Sequence, residues 1–162
     1  MLIRKSTKNG PEIFVLLKII YLTLYTQLLI NIIPMSKLIL IDDDIIYHRI
    51  MKIMLKSKHS DYDTTFSYDG KEIIDFLDEN KSKTELLPDY ILLDLNMPKF
   101  NGWDFLNSYR SIYKSIKKKI HIFIVSSSIN PTEIARSKEY PFVDSYYIKP
   151  LSMEMIDQII LN

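Results

Sequence analysis

The chain has 162 residues, 47% hydrophobic and 25% charged, with 21 basic and 20 acidic side chains and a net charge of +1. A near-neutral balance argues against a nucleic-acid surface read by bulk charge. The absence of cysteine removes disulfides and thiolate metal sites and fits a reducing compartment, so the expected location is cytoplasmic.

The first 34 residues stand apart. Glu12 to Pro34 is long and apolar, broken by Lys18, Gln27 and Asn31. Its length could span a bilayer. Three readings fit: a membrane anchor, a signal peptide, or a start set too early, with translation opening at Met35-Ser36-Lys37. The flanks oppose an anchor, because Arg4, Lys5 and Lys8 would stay inside and export the remainder. A signal peptide lacks its small-residue cleavage site. We favour the start at Met35, with residues 1–34 a hydrophobic extension and residues 35–162 the folded domain. Membrane association is expected only if the extension is a real anchor.

From Lys37 the chain alternates strand and helix. Lys37-Leu-Ile-Leu-Ile41 is a continuous apolar run, the pattern of a parallel strand buried on both faces. Ile46, Ile50, Ile53 and Met54 recur at helical spacing and predict a helix over about Asp44–Lys58. Tyr62 to Ser67 reads as the second strand. Asp69-Gly-Lys-Glu72 resembles a capping box, followed by a helix carrying Ile73, Ile74 and Leu77. A polar connection, rather long over Glu79–Pro88, leads to the third strand, Tyr90 to Leu93, which ends on Asp94.

The next helix starts near Asn101 or Gly102 and carries Trp103, Phe105, Leu106 and Tyr109. Lys117-Lys118-Lys119 reads as a solvated turn. Ile120 to Ser126 is the fourth strand. Asn130-Pro131 opens a further helix, with Asn as N-cap and Pro at the first position. Phe142 to Ile148 is the fifth strand. A last helix over about Ser152–Leu161 should turn Met155, Ile156, Ile159 and Ile160 inward. Five such units predict an α/β sandwich around a parallel sheet. About a dozen residues follow Lys149-Pro150, so no output domain is expected.

In a parallel sheet the carboxyl ends of the strands share one edge, and ligands bind there. Asp42-Asp43-Asp44, Asp94, Ser126-Ser127-Ser128 and Lys149-Pro150 all fall at such ends. Crowded carboxylates repel, and a hard divalent cation relieves them. Asp42 and Asp43 suit Mg²⁺. Asp94 is then a nucleophile able to form an aspartyl phosphate. Lys149 supplies a compact positive charge and Ser126 a hydroxyl for the phosphoryl oxygens. Each residue alone is ordinary: a strand-end Asp is usually a loop starter, and Lys-Pro usually a turn. The combination, in order and each at the right end, is what points to phosphoryl chemistry.

The motifs Leu40-Ile-Asp-Asp-Asp44, Leu92-Leu-Asp-Leu-Asn-Met-Pro98, Ile124-Val-Ser-Ser-Ser128 and Tyr146-Tyr-Ile-Lys-Pro150 resemble those of response-regulator receiver domains of two-component systems. The stand-alone, chemotaxis-regulator-like kind is the nearest in form, and the resemblance runs from about Ser36 to Leu161. It implies a flavodoxin-like three-layer sandwich with strand order 2-1-3-4-5. It implies Asp94 as phosphoacceptor and Asp42, Asp43, Asp94 and the Asn96 backbone carbonyl as Mg²⁺ ligands. Ser126 matches the switch hydroxyl, Tyr146 the switch aromatic and Lys149 the site lysine, with a cis bond to Pro150.

The resemblance further implies a sensor histidine kinase or phosphotransfer protein as donor, a downstream protein target, no direct nucleic-acid binding and no turnover of an external substrate. Ser127 stands where a smaller residue is frequent, and the extension has no counterpart. Two other classes remain open. One is a metal-dependent aspartyl-phosphate phosphohydrolase, since Asp42-Asp-Asp44 contains a DxD pattern. The other is a phosphorylation-independent interaction module.

Overall fold

A computed structural model describes residues 10–30, 35–58 and 62–160. The chain divides into two units, residues 1–34 and 35–162. The first contains α1 (Gly10–Ile30), whose apolar side chains from Ile13 to Tyr25 are exposed. Among the residues whose side chains are described, no helical stretch is long and apolar enough to cross a membrane.

The second unit runs β1 (Ser36–Ile41), α2 (Ile45–Lys58), β2 (Tyr62–Ser67), α3 (Gly70–Glu79), β3 (Tyr90–Leu93), α4 (Gly102–Ile112), β4 (His121–Ser126), α5 (Pro131–Ser137), β5 (Val143–Ile148) and α6 (Met153–Ile160). All strand pairs are parallel, and the order is β2-β1-β3-β4-β5. That is the flavodoxin-like arrangement expected above.

Successive strand side chains point to opposite faces, and the buried runs divide accordingly. Ile39, Ile41, Ile91, Leu93, Ile122 and Ile124 pack with Ile73, Ile74 and Leu77 of α3 and Phe105, Leu106 and Tyr109 of α4. Leu38, Leu40, Leu92, Phe123 and Val125 pack with Tyr47, Met51 and Leu55 of α2 and Ile156, Ile159 and Ile160 of α6. Each fully buried Leu or Ile contributes about 2 kcal/mol of transfer free energy. The central strands therefore hold the scaffold, and their carboxyl ends are placed by it.

Four local expectations change. The stripe of Ile46, Ile50 and Ile53 that marks α2 as a helix faces outward, and the buried face is Tyr47, His48, Met51 and Leu55. Asp69 does cap α3, but by accepting from the Lys71 N–H at 2.8 Å; the reciprocal capping box is instead at α4, between Asn101 and Asp104. Met155 is exposed while Ile156, Ile159 and Ile160 are buried. Lys118 is not a solvated turn residue, because its Nζ lies 2.7 Å from Asp89 Oδ1 and donates to the Leu87 carbonyl at 2.9 Å. Leu161, the expected end of the last helix, lies outside the described residues.

Gly102 is required by space rather than by backbone conformation. A Cβ there would run into the Asp94 carbonyl oxygen and lie 2.7 Å from Leu95 Cα. The helix start is thus pressed directly against the loop that leaves β3, with the Gly102 N–H donating to the Leu95 carbonyl at 3.0 Å.

Candidate functional site

Register brings the acids together. Ile41 of β1 lies opposite Leu93 of β3, so Asp42 and Asp94 leave neighbouring strands at the same level. The Asp94 N–H donates to the Ile41 carbonyl at 2.9 Å and the Asp42 N–H to the Ser67 carbonyl at 3.1 Å, extending the ladder one step to each carboxylate. On the other side Ser126 pairs with Ile148, and the Lys149 N–H donates to the Ser126 carbonyl at 2.9 Å. The strand ends converge as the order of the sheet requires.

The carboxylates of Asp42, Asp43 and Asp94 each offer an oxygen, and these oxygens lie within 4.8 Å of one another. Asp42 and Asp94 are buried, whereas Asp43 is exposed. The Lys149 ammonium reaches between the buried pair, 2.6 Å from Asp42 Oδ2 and 3.0 Å from Asp94 Oδ2. The Lys149–Pro150 peptide bond is cis.

Burial pushes the Asp42 carboxyl above its usual range, although Lys149 and the Asp44 N–H pull it back. Burial alone would lower the Lys149 ammonium, but Asp42 and then Asp94 outweigh it and hold it above its ordinary value. Lys149 is therefore a fixed cation shared by two buried carboxylates, with the exposed Asp43 beside them. Hard oxygen donors, two of them buried, and a residual negative charge fit a small divalent cation.

The remaining side chains surround this pocket. The Asn96 N–H donates to Asp94 Oδ1 at 3.2 Å, and Asn96 Nδ2 donates to Ser126 Oγ at 3.1 Å. The Ser128 N–H also donates to Ser126 Oγ, at 3.2 Å. Tyr146 is half-buried against the core, and its hydroxyl donates to the Ser128 carbonyl at 2.9 Å. Thus Asp94, Asn96, Ser126, Ser128 and Tyr146 form one chain of contacts running from the pocket to β5.

Asp44 is occupied otherwise. Its Oδ1 accepts from the N–H groups of Ile46 (2.7 Å) and Tyr47 (3.1 Å), capping α2. That leaves the DxD pattern without its second acid in the pocket.

Sequence reasoning missed two residues here. Tyr47 places its ring under Lys149, with Nζ 4.5 Å from the centroid. His48 is buried against Phe66 and Tyr68. Burial holds its imidazole below the ordinary value. Their adjacency to the Asp42–Asp44 run was the available signal, but helical periodicity assigned the buried face to Ile46 and Ile50 instead.

A parallel sheet of this order with acids and a lysine gathered at its carboxyl edge defines a class: flavodoxin-like domains of the chemotaxis-regulator type. Within that class the chain belongs to the response regulator receiver domain family, whose model matches residues 38–161. A two-component response regulator from Cytophaga hutchinsonii superposes with a TM-score of 0.69 at 26% identity, covering 78% of this chain and 95% of that one. The phosphorylated cyanobacterial phytochrome response regulator RcpA superposes with a TM-score of 0.61 at 28% identity, covering 77% and 88%.

Hybrid signal transduction histidine kinase I of Dictyostelium discoideum is 27% identical over 125 residues, 77% of this chain and 7% of that protein. The chain spans about half or less of the length of the curated relatives it matches. The family acts in two-component signalling through histidine kinases or phosphotransfer proteins, as a signalling module rather than a turnover enzyme.

Proposed function

We propose that this protein is a single-domain response regulator that accepts a phosphoryl group on Asp94 from a phosphohistidine donor, in a Mg²⁺-dependent step. Residues 35–162 constitute the receiver domain, residues 1–34 are a hydrophobic extension outside it, and the reaction runs in the cytoplasm. The observation that carries the reading is the placement of Lys149 Nζ 3.0 Å from Asp94, inside a cluster of three carboxylates.

In this reading one carboxylate oxygen of Asp94 attacks the phosphorus of the phosphoimidazole. The P–N bond breaks, the imidazole leaves with its electron pair and takes up a proton, and an acyl phosphate remains on Asp94. Asp42, Asp43, Asp94 and the Asn96 carbonyl would hold Mg²⁺, which supplies charge neutralisation for the phosphoryl oxygens. Lys149 swings its attraction from the Asp94 carboxylate to the incoming phosphoryl group. Ser126 releases Asn96 and donates its hydroxyl to a phosphoryl oxygen.

Because Ser126 also accepts from the Ser128 N–H, and Ser128 accepts from Tyr146, that movement is transmitted to the α5–β5–α6 face. Phosphorylation thereby biases a two-state element that a downstream protein reads.

The test is incubation with acetyl phosphate and Mg²⁺ followed by intact mass. One phosphoryl group is expected on the wild type and none on Asp94→Asn. Labelling that survives in Asp94→Asn, or a wild type that takes no label, defeats the proposal.

A further inference from the structure

We infer that Tyr47 is the permanent seat of the Lys149 ammonium, a positioning residue whose aromatic face holds that charge while the carboxylates around it change partners. The inference rests on the phosphoacceptor reading of Asp94 and deepens it. The ammonium has three close neighbours: Asp42 Oδ2 at 2.6 Å, Asp94 Oδ2 at 3.0 Å and the Tyr47 ring, whose centroid is 4.5 Å away.

Two of these three are not constant. Asp94 loses its negative oxygen when it becomes an acyl phosphate, and Asp42 belongs to the cation-binding set. The ring has no proton or phosphoryl group to exchange, so its attraction for the ammonium persists through every state of the site. Such an attraction is strongest where water is excluded, and Tyr47 is 6% exposed.

The ring itself is well fixed. The Tyr47 N–H is bound to Asp44 Oδ1 at 3.1 Å, which ties the residue to the acidic loop after β1. Its side chain packs with Met51, Leu55 and Leu151, the last lying just beyond Lys149-Pro150. Tyr47 therefore bridges the loops that deliver the acids and the lysine. The hydroxyl is buried beside the Leu151 backbone, and burial followed by the charge of Asp42 keeps it protonated. The face, not the hydroxyl, is the working part. Packing alone does not single out an aromatic residue here, since the same cluster takes Leu, Ile, Met and Val as well as Phe123.

The experiment compares wild type, Tyr47→Phe, Tyr47→Leu and Tyr47→Met in labelling by acetyl phosphate with Mg²⁺, over a range of donor concentration. Replacing the ring with an aliphatic side chain should lower the maximal labelling rate and the affinity for beryllium fluoride about tenfold. Tyr47→Phe should rescue both to within about threefold of wild type. Mg²⁺ affinity, measured by calorimetry, should move less than either, as a general collapse of the pocket would not allow.

In a Lys149→Met background the Tyr47→Leu change should add nothing, because its partner is gone. If Tyr47→Leu does not fold, Tyr47→Met carries the comparison. Aliphatic variants that label at the wild-type rate, or a Tyr47→Phe as slow as Tyr47→Leu, overturn the inference. A wild type that takes no label overturns the phosphoacceptor reading itself, so the two failures are distinct.

Discussion

The two edges of the sheet treat charge in opposite ways. At the amino edge Asp89 and Asp144 each have a partner of their own: Asp89 accepts from the Lys37 N–H at 2.8 Å and pairs with Lys118 at 2.7 Å, and Asp144 pairs with His121 at 2.8 Å. At the carboxyl edge Asp42, Asp43 and Asp94 crowd within 4.8 Å, and among the described residues Lys149 is the cation in contact with the buried two. The amino edge is electrostatically finished, with charges that stabilise a fold. The carboxyl edge is left in deficit, and a deficit of positive charge is what a cation and a phosphoryl transfer can use. An ion pair in this domain is therefore informative by its surplus and not by its existence.

The largest expected effect would separate these edges directly. Lys149→Met removes the ammonium between two buried carboxylates and should cost about 3 kcal/mol of unfolding free energy at neutral pH. Lys118→Met removes a partly exposed pair and should cost about 0.5 kcal/mol. Chemical denaturation measures both, and equal losses would erase the distinction.

A smaller effect tests what the deficit is for. Mg²⁺ at ten times its dissociation constant should stabilise the wild type by about 1.4 kcal/mol. Thermal melts should show that gain disappearing in Asp42→Asn and surviving in Asp89→Asn, although the latter starts from a lower midpoint.

The smallest effect concerns pH. Burial holds His48 below its ordinary value of 6.5, so as pH falls the unfolded chain takes up the proton first. Its contribution to stability is complete above that ordinary value and is lost as pH drops through the folded one. Asp44, Asp43 and Lys149 are the charged groups that act on it. Denaturation midpoints measured across that window should fall for the wild type and flatten in His48→Leu. A slope unchanged in His48→Leu would belong to another group.

Much of the architecture is legible in the sequence. Continuous apolar runs such as Leu38–Ile41 and Ile91–Leu93 mark strands buried on both faces, because only such strands dispense with polar alternation. Asn101 and Asn130-Pro131 announce the starts of α4 and α5, where capping chemistry is local. The pocket residues were legible for a related reason: in a parallel sheet, a polar residue directly after a buried run must emerge at the carboxyl edge. Asp42, Asp94 and Ser126 follow that rule, whereas Lys149 follows β5, an edge strand only partly buried, and is placed by the direction of that strand.

What a helix buries was not legible in the same way. For α2, Ile46, Ile50 and Ile53 form an apolar stripe as good as that of Tyr47, Met51 and Leu55, and periodicity has no means of choosing between them. The choice falls to the sheet, which presents Leu38 and Leu40 on the face where α2 lies and selects the side that packs on them.

The sequence by itself determined the alternation of strands and helices, the identity of the acids and the lysine, and the edge where they would meet. Only the tertiary structure decided that Lys149 lies between Asp42 and Asp94, that Asp44 is spent on a helix cap, and that Tyr47 lies beneath the ammonium. The physical reason is range. Capping, strand burial and chain direction act between near neighbours. A contact between residues 47 and 149 depends on how β1, β3, β4 and β5 align and on which face of α2 they accept.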